Sequence, residues 1–429
     1  MRQLLLASYL FLTAISLRAQ DIDKIINPAA VERIEKVLSA DDMRGRASFS
    51  PDIERAADFI ETQFKEAGLQ TWNGSSSYRQ PFSLIRAKTL SANGSFDGNP
   101  LPAETIVAFS SETHLVVNEQ SGYEKVAIKA GDKFVQEALK YISQDRKSYL
   151  ILVDTSFSKY FSRLVNFGSQ QFKSSRNVVF VLTTADPVHY SIGVDQEIKE
   201  SKLANVVGIL PGKSKKNEYV IFSGHYDHLG VGKPDNKGDS IFNGANDDAS
   251  GTTAVLMLAK YFGKLHNNER TLVFATFTAE EIGEYGSQYF SSQFEPAAVM
   301  AMFNIEMIGT ESKWGANSAF ITGYERTDMG KILEKNLTGS QFTFYPDPYP
   351  DQQLFYRSDN ASLARHGVPA HTISTSKMDS EKYYHTQGDE IGTLDMNNMA
   401  RIIKSIALSS RTIVSGTDTP SRVDATQMR

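Results

Sequence analysis

The stretch Thr271-Leu272-Val273-Phe274-Ala275-Thr276-Phe277 runs without the apolar–polar alternation of a strand that has one face in water. Such a run is what burial on both faces of a sheet produces. The same texture recurs on either side of it. Strands are expected at 219–223, 271–278, 299–306 and 369–374, with a helix at 251–262 and a closing helix at 397–414. Strands alternating with helices predict an α/β fold, a mostly parallel central sheet with helices on both faces.

Upstream, Asn27-Pro28 and Ser50-Pro51 each place a capping side chain before a Pro that suits the first turn of a helix. In the second of these helices Ile53, Ala56, Ile60 and Phe64 share one face, and Gly68 supplies the stop. From 90 to 202 the texture changes. Short β-prone runs, Tyr149-Leu150-Ile151-Leu152-Val153 and Val178-Val179-Phe180-Val181-Leu182, flank polar loops and one helical stretch at 133–143. The chain, 429 residues long, exceeds what one core usually organises. The expected organisation is therefore a discontinuous main domain, 21–89 and 203–415, interrupted by a smaller α+β domain at 90–202 and followed by a polar, frayed tail at 416–429. His114 and His189, both in the insertion, read as surface or packing histidines because neither belongs to a ligand spacing.

Composition narrows the chemistry. A formal charge of -5, with 22% charged residues, gives no electrostatic reason to expect a nucleic-acid partner. The segment 1–20 reads as an export signal: Arg2 precedes an apolar run ending in Leu17-Arg18-Ala19. That run is shorter than the ~20 residues a membrane span requires, so no stable membrane insertion is expected, and the periplasm or cell exterior is the expected location. Cys is absent, which excludes disulfides, thiolate metal sites and a cysteine nucleophile. Any metal must be held by imidazole and carboxylate.

Open α/β sheets bind ligands beyond the carboxyl ends of their strands. His225 follows the strand at 219–223, Glu280 and Glu281 follow 271–278, and Glu306 ends 299–306. Asp247 lies in the loop Asn243-Gly244-Ala245-Asn246 just before a helix, and His385 lies in a loop after 369–374. Two imidazoles and three carboxylates without Cys suit zinc, and they suffice for two ions if Asp247 bridges. One ion would take Asp247, Glu281 and His385, the other Asp247, His225 and Glu306. Consecutive side chains of extended backbone point in opposite directions, so Glu281 can bind metal while Glu280 stays free as the general base. Asp227, two residues after His225, is placed to accept the other imidazole N–H and fix its tautomer.

The segments Gly224-His225-Tyr226-Asp227-His228-Leu229-Gly230, Gly244-Ala245-Asn246-Asp247-Asp248-Ala249-Ser250-Gly251, Ala279-Glu280-Glu281-Ile282-Gly283, Asn304-Ile305-Glu306-Met307-Ile308-Gly309 and Tyr384-His385-Thr386-Gln387-Gly388-Asp389 resemble, in order, those of the M28 family of zinc aminopeptidases. The resemblance covers about 30–85 and 203–414. It implies the zinc-peptidase/phosphorylase-like fold, two zinc ions, a peptide substrate cleaved at its N-terminus, the role of Glu280 as base and a cis Asp247–Asp248 peptide. It also implies that the insertion is protease-associated-like in position. The chain departs from many relatives in carrying Glu306 in place of Asp, and Asn360 where His is frequent. His228, His266, His366 and His371 read as structural or exposed.

Other activities on this scaffold are a glutaminyl cyclase, with a single zinc and no hydrolysis, and a carboxypeptidase of acidic peptides. A noncatalytic binding protein would be expected to lack ligands or base, whereas all of them are present here. Side-chain specificity is expected from loops at 345–354 and 377–384, and Tyr383 or Tyr384 is placed to steady an oxyanion.

Overall fold

The computed structural model describes residues 22–143, 147–167 and 170–428. The expected export signal lies outside them. The chain forms two units, one made of the chain up to Pro81 and from Ala204 onward, the other of Phe82–Leu203.

In the first unit, Leu272 and Phe274 of the strand Arg270–Phe277 join one apolar layer, while Val273, Ala275 and Phe277 join another. Both faces are dry, which is why the strand needs no polar alternation. Its neighbour Lys215–His225 divides likewise, with Val220 and Phe222 on one side and Ile221 on the other. The strands Thr343–Pro346, Ser318–Ile321, Ala370–Ser374, Val299–Ile305, Lys215–His225 and Arg270–Phe277 lie side by side in that order. The central pairings are parallel. Antiparallel pairings occur towards the edges, between Ser318–Ile321 and Ala370–Ser374 and between Arg270–Phe277 and the end of Tyr190–Leu210. The expected mostly parallel sheet with helices on both faces is thus the fold observed.

The larger layer packs helices Pro28–Leu38, Asp52–Glu66, Ser250–Leu265, Met329–Leu337 and Met396–Ser409 on the sheet. Each presents an apolar stripe at helical spacing, as Ile53, Ala56, Ala57, Ile60 and Phe64 do. Helices Tyr285–Ser291 and Asn360–Ala364 cover the opposite face. Asn27 caps its helix as expected, its side chain accepting the Ala30 amide, whereas Pro51 itself occupies the cap position of the next helix.

The tail does not fray. Val423 is buried with Phe294 and Val368. Arg422 donates from Nη1 to Val299 O at 2.7 Å, and Arg270 donates to Asp418 O at 2.7 Å. Two arginines, Arg270 buried and Arg422 exposed, donate to backbone carbonyls and anchor a segment whose polarity alone reads as solvent-exposed.

The second unit is α+β. Ile106–Phe109, Val178–Leu182, Tyr149–Val153 and Glu124–Ile128 form a sheet whose first pairing is antiparallel and the rest parallel. Leu150 and Leu152 face one apolar cluster, and Ile151 and Val153 the other, against helix Phe134–Ser143. The unit begins at Phe82, where the sequence places the boundary at 90, because the strand Arg79–Phe96 runs unbroken through the change in composition.

Phe222 sits at the middle of the first unit, stacked on Phe262, Phe274 and Phe303 with ring centroids 5.5, 5.6 and 5.0 Å away. Phe222→Ala removes the shared partner and leaves a cavity. A loss of about 3–5 kcal/mol in unfolding free energy is expected, measured by urea denaturation at fixed metal content.

Candidate metal centre

His225 is the last residue of its strand, and Glu306 follows the strand Val299–Ile305 directly. Glu280 and Glu281 follow Arg270–Phe277 through a turn, not through extended backbone as the sequence reading has it. Ala279 takes a left-handed φ of 61°, and the amides of Gly283 and Glu284 both return to Glu280 O at 2.9 Å. The turn, and not strand alternation, separates the two glutamates. Non-glycine residues in this costly region recur at Met307 and His385, each at or beside a candidate ligand.

Asp247 stands at the middle of the cluster. Its Oδ1 lies 3.2 Å from His225 Nε2, and its Oδ2 lies 3.2 Å from His385 Nε2. His385 Nε2 is also 3.2 Å from Glu281 Oε2. His225, Asp247 and Glu306 form one group able to hold an ion, and Asp247 and Glu281 belong to a second. The Asp247–Asp248 peptide is cis. His225 Nε2 and Asp247 Oδ2 are buried with no hydrogen-bond partner, the state of ligand atoms that face a common point. Two donors on one tetrahedral zinc at ~2.0–2.1 Å stand roughly 3.3 Å apart, close to the spacings seen, so the donor set fits such an ion.

Buried hydrogen bonds fix the loop that carries Asp247. Asp389 accepts the amides of Asn246 at 2.8 Å and Asp247 at 3.0 Å. Arg46, fully buried, donates to Tyr226 O, Leu38 O, Asn243 O and Gly244 O at 2.6 to 3.0 Å. Asp248 is not in either ligand group. Its Oδ1 accepts the amides of Gly251 and Met307 at 3.0 Å, and its Oδ2 accepts the amide of His225 at 3.1 Å, tying together three segments that carry or precede ligands. Gly251 must lack a side chain here, since a Cβ would stand 2.1 Å from Ile305 O and 2.4 Å from Asp248 Oδ1.

Asp227 does something other than the sequence reading assigns. The His225 Nδ1 contact is to the Asp227 backbone carbonyl at 3.1 Å, with the carboxylate farther away at 3.7 Å. The carboxylate instead accepts Ser48 Oγ at 2.7 Å and the Glu280 amide at 3.2 Å, so it holds the backbone of the candidate base. Glu280 Oε2 reaches to 3.9 Å from His225 Nε2. Ser358 Oγ donates to Glu306 Oε2 and itself accepts Asn304 Nδ2 at 2.7 Å.

The electrostatics show strained coexistence. Desolvation raises the Glu280 carboxyl well above its ordinary range, opposed by His225 and reinforced by Glu306 and Asp359. Desolvation likewise lifts Glu306 to about 7. Desolvation pushes Asp247 up, but the imidazoles of His225 and His385 beside it outweigh that and hold it below its ordinary value, while the neighbouring Asp247 and Glu281 lift His385 to about 10. Each carboxylate that ionises here needs a cation beside it.

Three participants escaped the sequence reading. Asp389 stands in a quoted motif but was given no role. Arg46 signals itself only as a buried cation. His228, read as structural or exposed, is buried with Nδ1 2.6 Å from Glu281 Oε1, and it belongs to the second ligand group. The pattern His225-x-Asp227-His228 is the signal that marks it. His371 is structural as expected, held between Thr322 O and Thr327 Oγ1 at 2.8 Å each.

A His–carboxylate cluster at the carboxyl ends of a largely parallel sheet defines the metal-binding class of α/β domain. The family model for peptidase family M28 matches residues 205–409, just under half of the chain, and over that stretch the chain is similar to that family. Leucine aminopeptidase 1 of Emericella nidulans is 28% identical over 205 residues, 46% of this chain and 51% of that protein. A probable zinc metalloprotease of Pyrenophora teres f. teres is 36% identical over 109 residues, 25% of this chain and 23% of that protein. The chain spans about half the length of the leucine aminopeptidases it matches, and less of the zinc metalloprotease. Among solved structures, the aminopeptidase from Aneurinibacillus sp. strain AM-1 superposes with a TM-score of 0.53 at 18% identity, covering 92% of this chain and 95% of that one. The zinc aminopeptidase of Bacillus subtilis gives 0.53 at 14% identity, covering 91% and 95%. These two show the shared fold.

Asp389→Ala removes the acceptor from two amides that remain buried. It is expected to destabilise the metal-free protein by on the order of 2–5 kcal/mol, measured by chemical denaturation in the presence of a chelator.

Proposed function

We propose that this chain is an exported zinc-dependent exopeptidase that removes the N-terminal residue from peptides. The observation that carries the reading is the placement of Asp247, whose two oxygens each stand 3.2 Å from a different imidazole. A carboxylate so placed would help hold two ions, one together with His225 and Glu306, the other together with Glu281 and His385. The match to a peptidase family model and the names of the relatives support zinc and a peptide substrate. The apolar run after Arg2 supports export to the periplasm or cell exterior.

Zinc, when bound, supplies a Lewis acid that polarises the scissile carbonyl and makes water a better nucleophile near neutral pH. Glu280, its backbone held by Asp227, takes the proton of the attacking water and delivers it to the leaving amine. Desolvation suits it to both tasks by raising its proton affinity. Tyr384 lies flat against His385, ring centroids 3.9 Å apart, and borders the same cavity as Glu306, where its hydroxyl steadies the developing oxyanion. The excess of carboxylate over imidazole favours the substrate's free ammonium.

Next to Glu306 a cavity is walled by Met307, Phe320, Leu354 and Met378. The hydroxyls on its lining are engaged within the protein: Thr372 donates to Asn360 Oδ1, Ser374 donates to Met307 O, and Thr322 Oγ1 accepts the Thr372 amide. Arg357, Ser358 and Tyr384 complete the lining beside Glu306, and the apolar walls favour an uncharged apolar side chain at the peptide's first residue.

The test is digestion of a peptide library by the zinc-loaded protein, read by mass spectrometry, with wild type and Glu280→Gln side by side. Wild type is expected to release single N-terminal residues, apolar ones first. Glu280→Gln is expected to keep its zinc while turnover falls ~10²–10⁴-fold. Chelation should abolish turnover and zinc should restore it. Cyclisation of N-terminal glutamine without hydrolysis, or undiminished turnover by Glu280→Gln, would contradict the reading.

A further inference from the structure

The centre contains one more imidazole than the two ion sites use. His228 is enclosed: its amide donates to Arg46 O at 3.2 Å, and its ring meets the His385 ring edge-on at 5.8 Å. Gly244 makes the enclosure possible, because a Cβ there would stand 2.5 Å from His228 Cδ2. Neither ring nitrogen makes an aligned hydrogen bond, and neither does Glu281 Oε1, which stands only 2.6 Å from Nδ1.

Distances sort the contacts of the second ion site into two kinds. His385 Nε2 is 3.2 Å from both Asp247 Oδ2 and Glu281 Oε2, the separation of donors that share an ion. His228 Nδ1 is too close to Glu281 for that arrangement and, at 3.9 Å, comparatively far from Asp247 Oδ2. The two oxygens of Glu281 are thereby divided, Oε1 towards His228 and Oε2 towards His385.

We propose that His228 is a positioning residue: it engages Glu281 Oε1 through Nδ1 and so presents Oε2 alone to the zinc shared with Asp247 and His385. The inference rests on the metal centre proposed above. Imidazole–carboxylate pairs just outside a ligand shell fix the ligand's orientation, and losing one typically costs 10–100-fold in metal affinity. Without His228, Glu281 is free to rotate, and its oxygens must be ordered at the moment of binding.

The experiment measures zinc dissociation constants by competition with a chromophoric chelator for wild type, His228→Leu, His228→Asn and His228→Gln, alongside melting of the metal-free forms. His228→Leu is expected to weaken one of the two zinc ions by ~10–100-fold. The amide nitrogen of Asn stands nearer the position of imidazole Nδ1 and that of Gln nearer Nε2. His228→Asn should therefore recover most of the affinity and His228→Gln should not, a contrast that decides the matter even if the leucine variant fails to fold. Cobalt-loaded wild type and His228→Asn should share one visible absorption spectrum, since no ligand is lost. Equal zinc affinity in wild type, His228→Leu and His228→Gln would overturn the proposal while leaving the proposed function intact. A cobalt spectrum in His228→Asn showing a changed coordination number would overturn it by making His228 a ligand. A wild type that binds no zinc would overturn both.

Discussion

Like charges gathered in a region shielded from water repel strongly, and this fold gathers them on purpose. Asp247, Glu280, Glu281 and Glu306 converge from three separate segments, with His225, His228 and His385 between them. The imidazoles only partly compensate: Asp247 is held low beside them, but the carboxyls of Glu280 and Glu306 remain raised. A divalent cation held there would resolve the conflict, because it would offset the carboxylate charge and use the lone pairs as ligands.

The scaffold around the centre is built to withstand that repulsion. Parallel strands deliver His225 and Glu306 to one edge, and a turn delivers the glutamate pair beside them. Asp248, Asp389 and Asp227 are spent on backbone amides and Ser48, so their role is to fix the segments on which ligands and base are mounted. Arg46 performs the complementary task for carbonyls and supplies positive charge from beneath the loop. His225 Nε2, Asp247 Oδ2 and Glu281 Oε1 are among the buried atoms without a hydrogen-bond partner, while Asp248, Asp389 and Asp227 are engaged, and that contrast is what a preorganised metal site requires.

Much of this was legible in the sequence because it rests on periodicity and strand-end placement. The uninterrupted apolar run at 271–277 announces a strand buried on both faces, and the ligands follow from where such strands end. What was not legible depends on atoms far apart in the chain. The strand Thr343–Pro346 at the sheet edge and its neighbour Ser318–Ile321 are short elements with little pattern, and the 416–429 segment is pinned by Arg270 and Arg422, which read as ordinary charges. The turn at Ala279 depends on a left-handed residue that need not be glycine. His228 and Asp389 were visible as letters in motifs, but what they touch is set by the loop around Gly244, whose path no local rule dictates.

The central claim is that Asp247 is shared between two ions. It is tested most directly by zinc stoichiometry, measured by elemental analysis of dialysed protein, for wild type and Asp247→Ala. The account predicts about two zinc ions per chain in wild type and close to none in the variant, since both sites lose the same ligand. A folded Asp247→Ala protein that retains its full complement of zinc would contradict it.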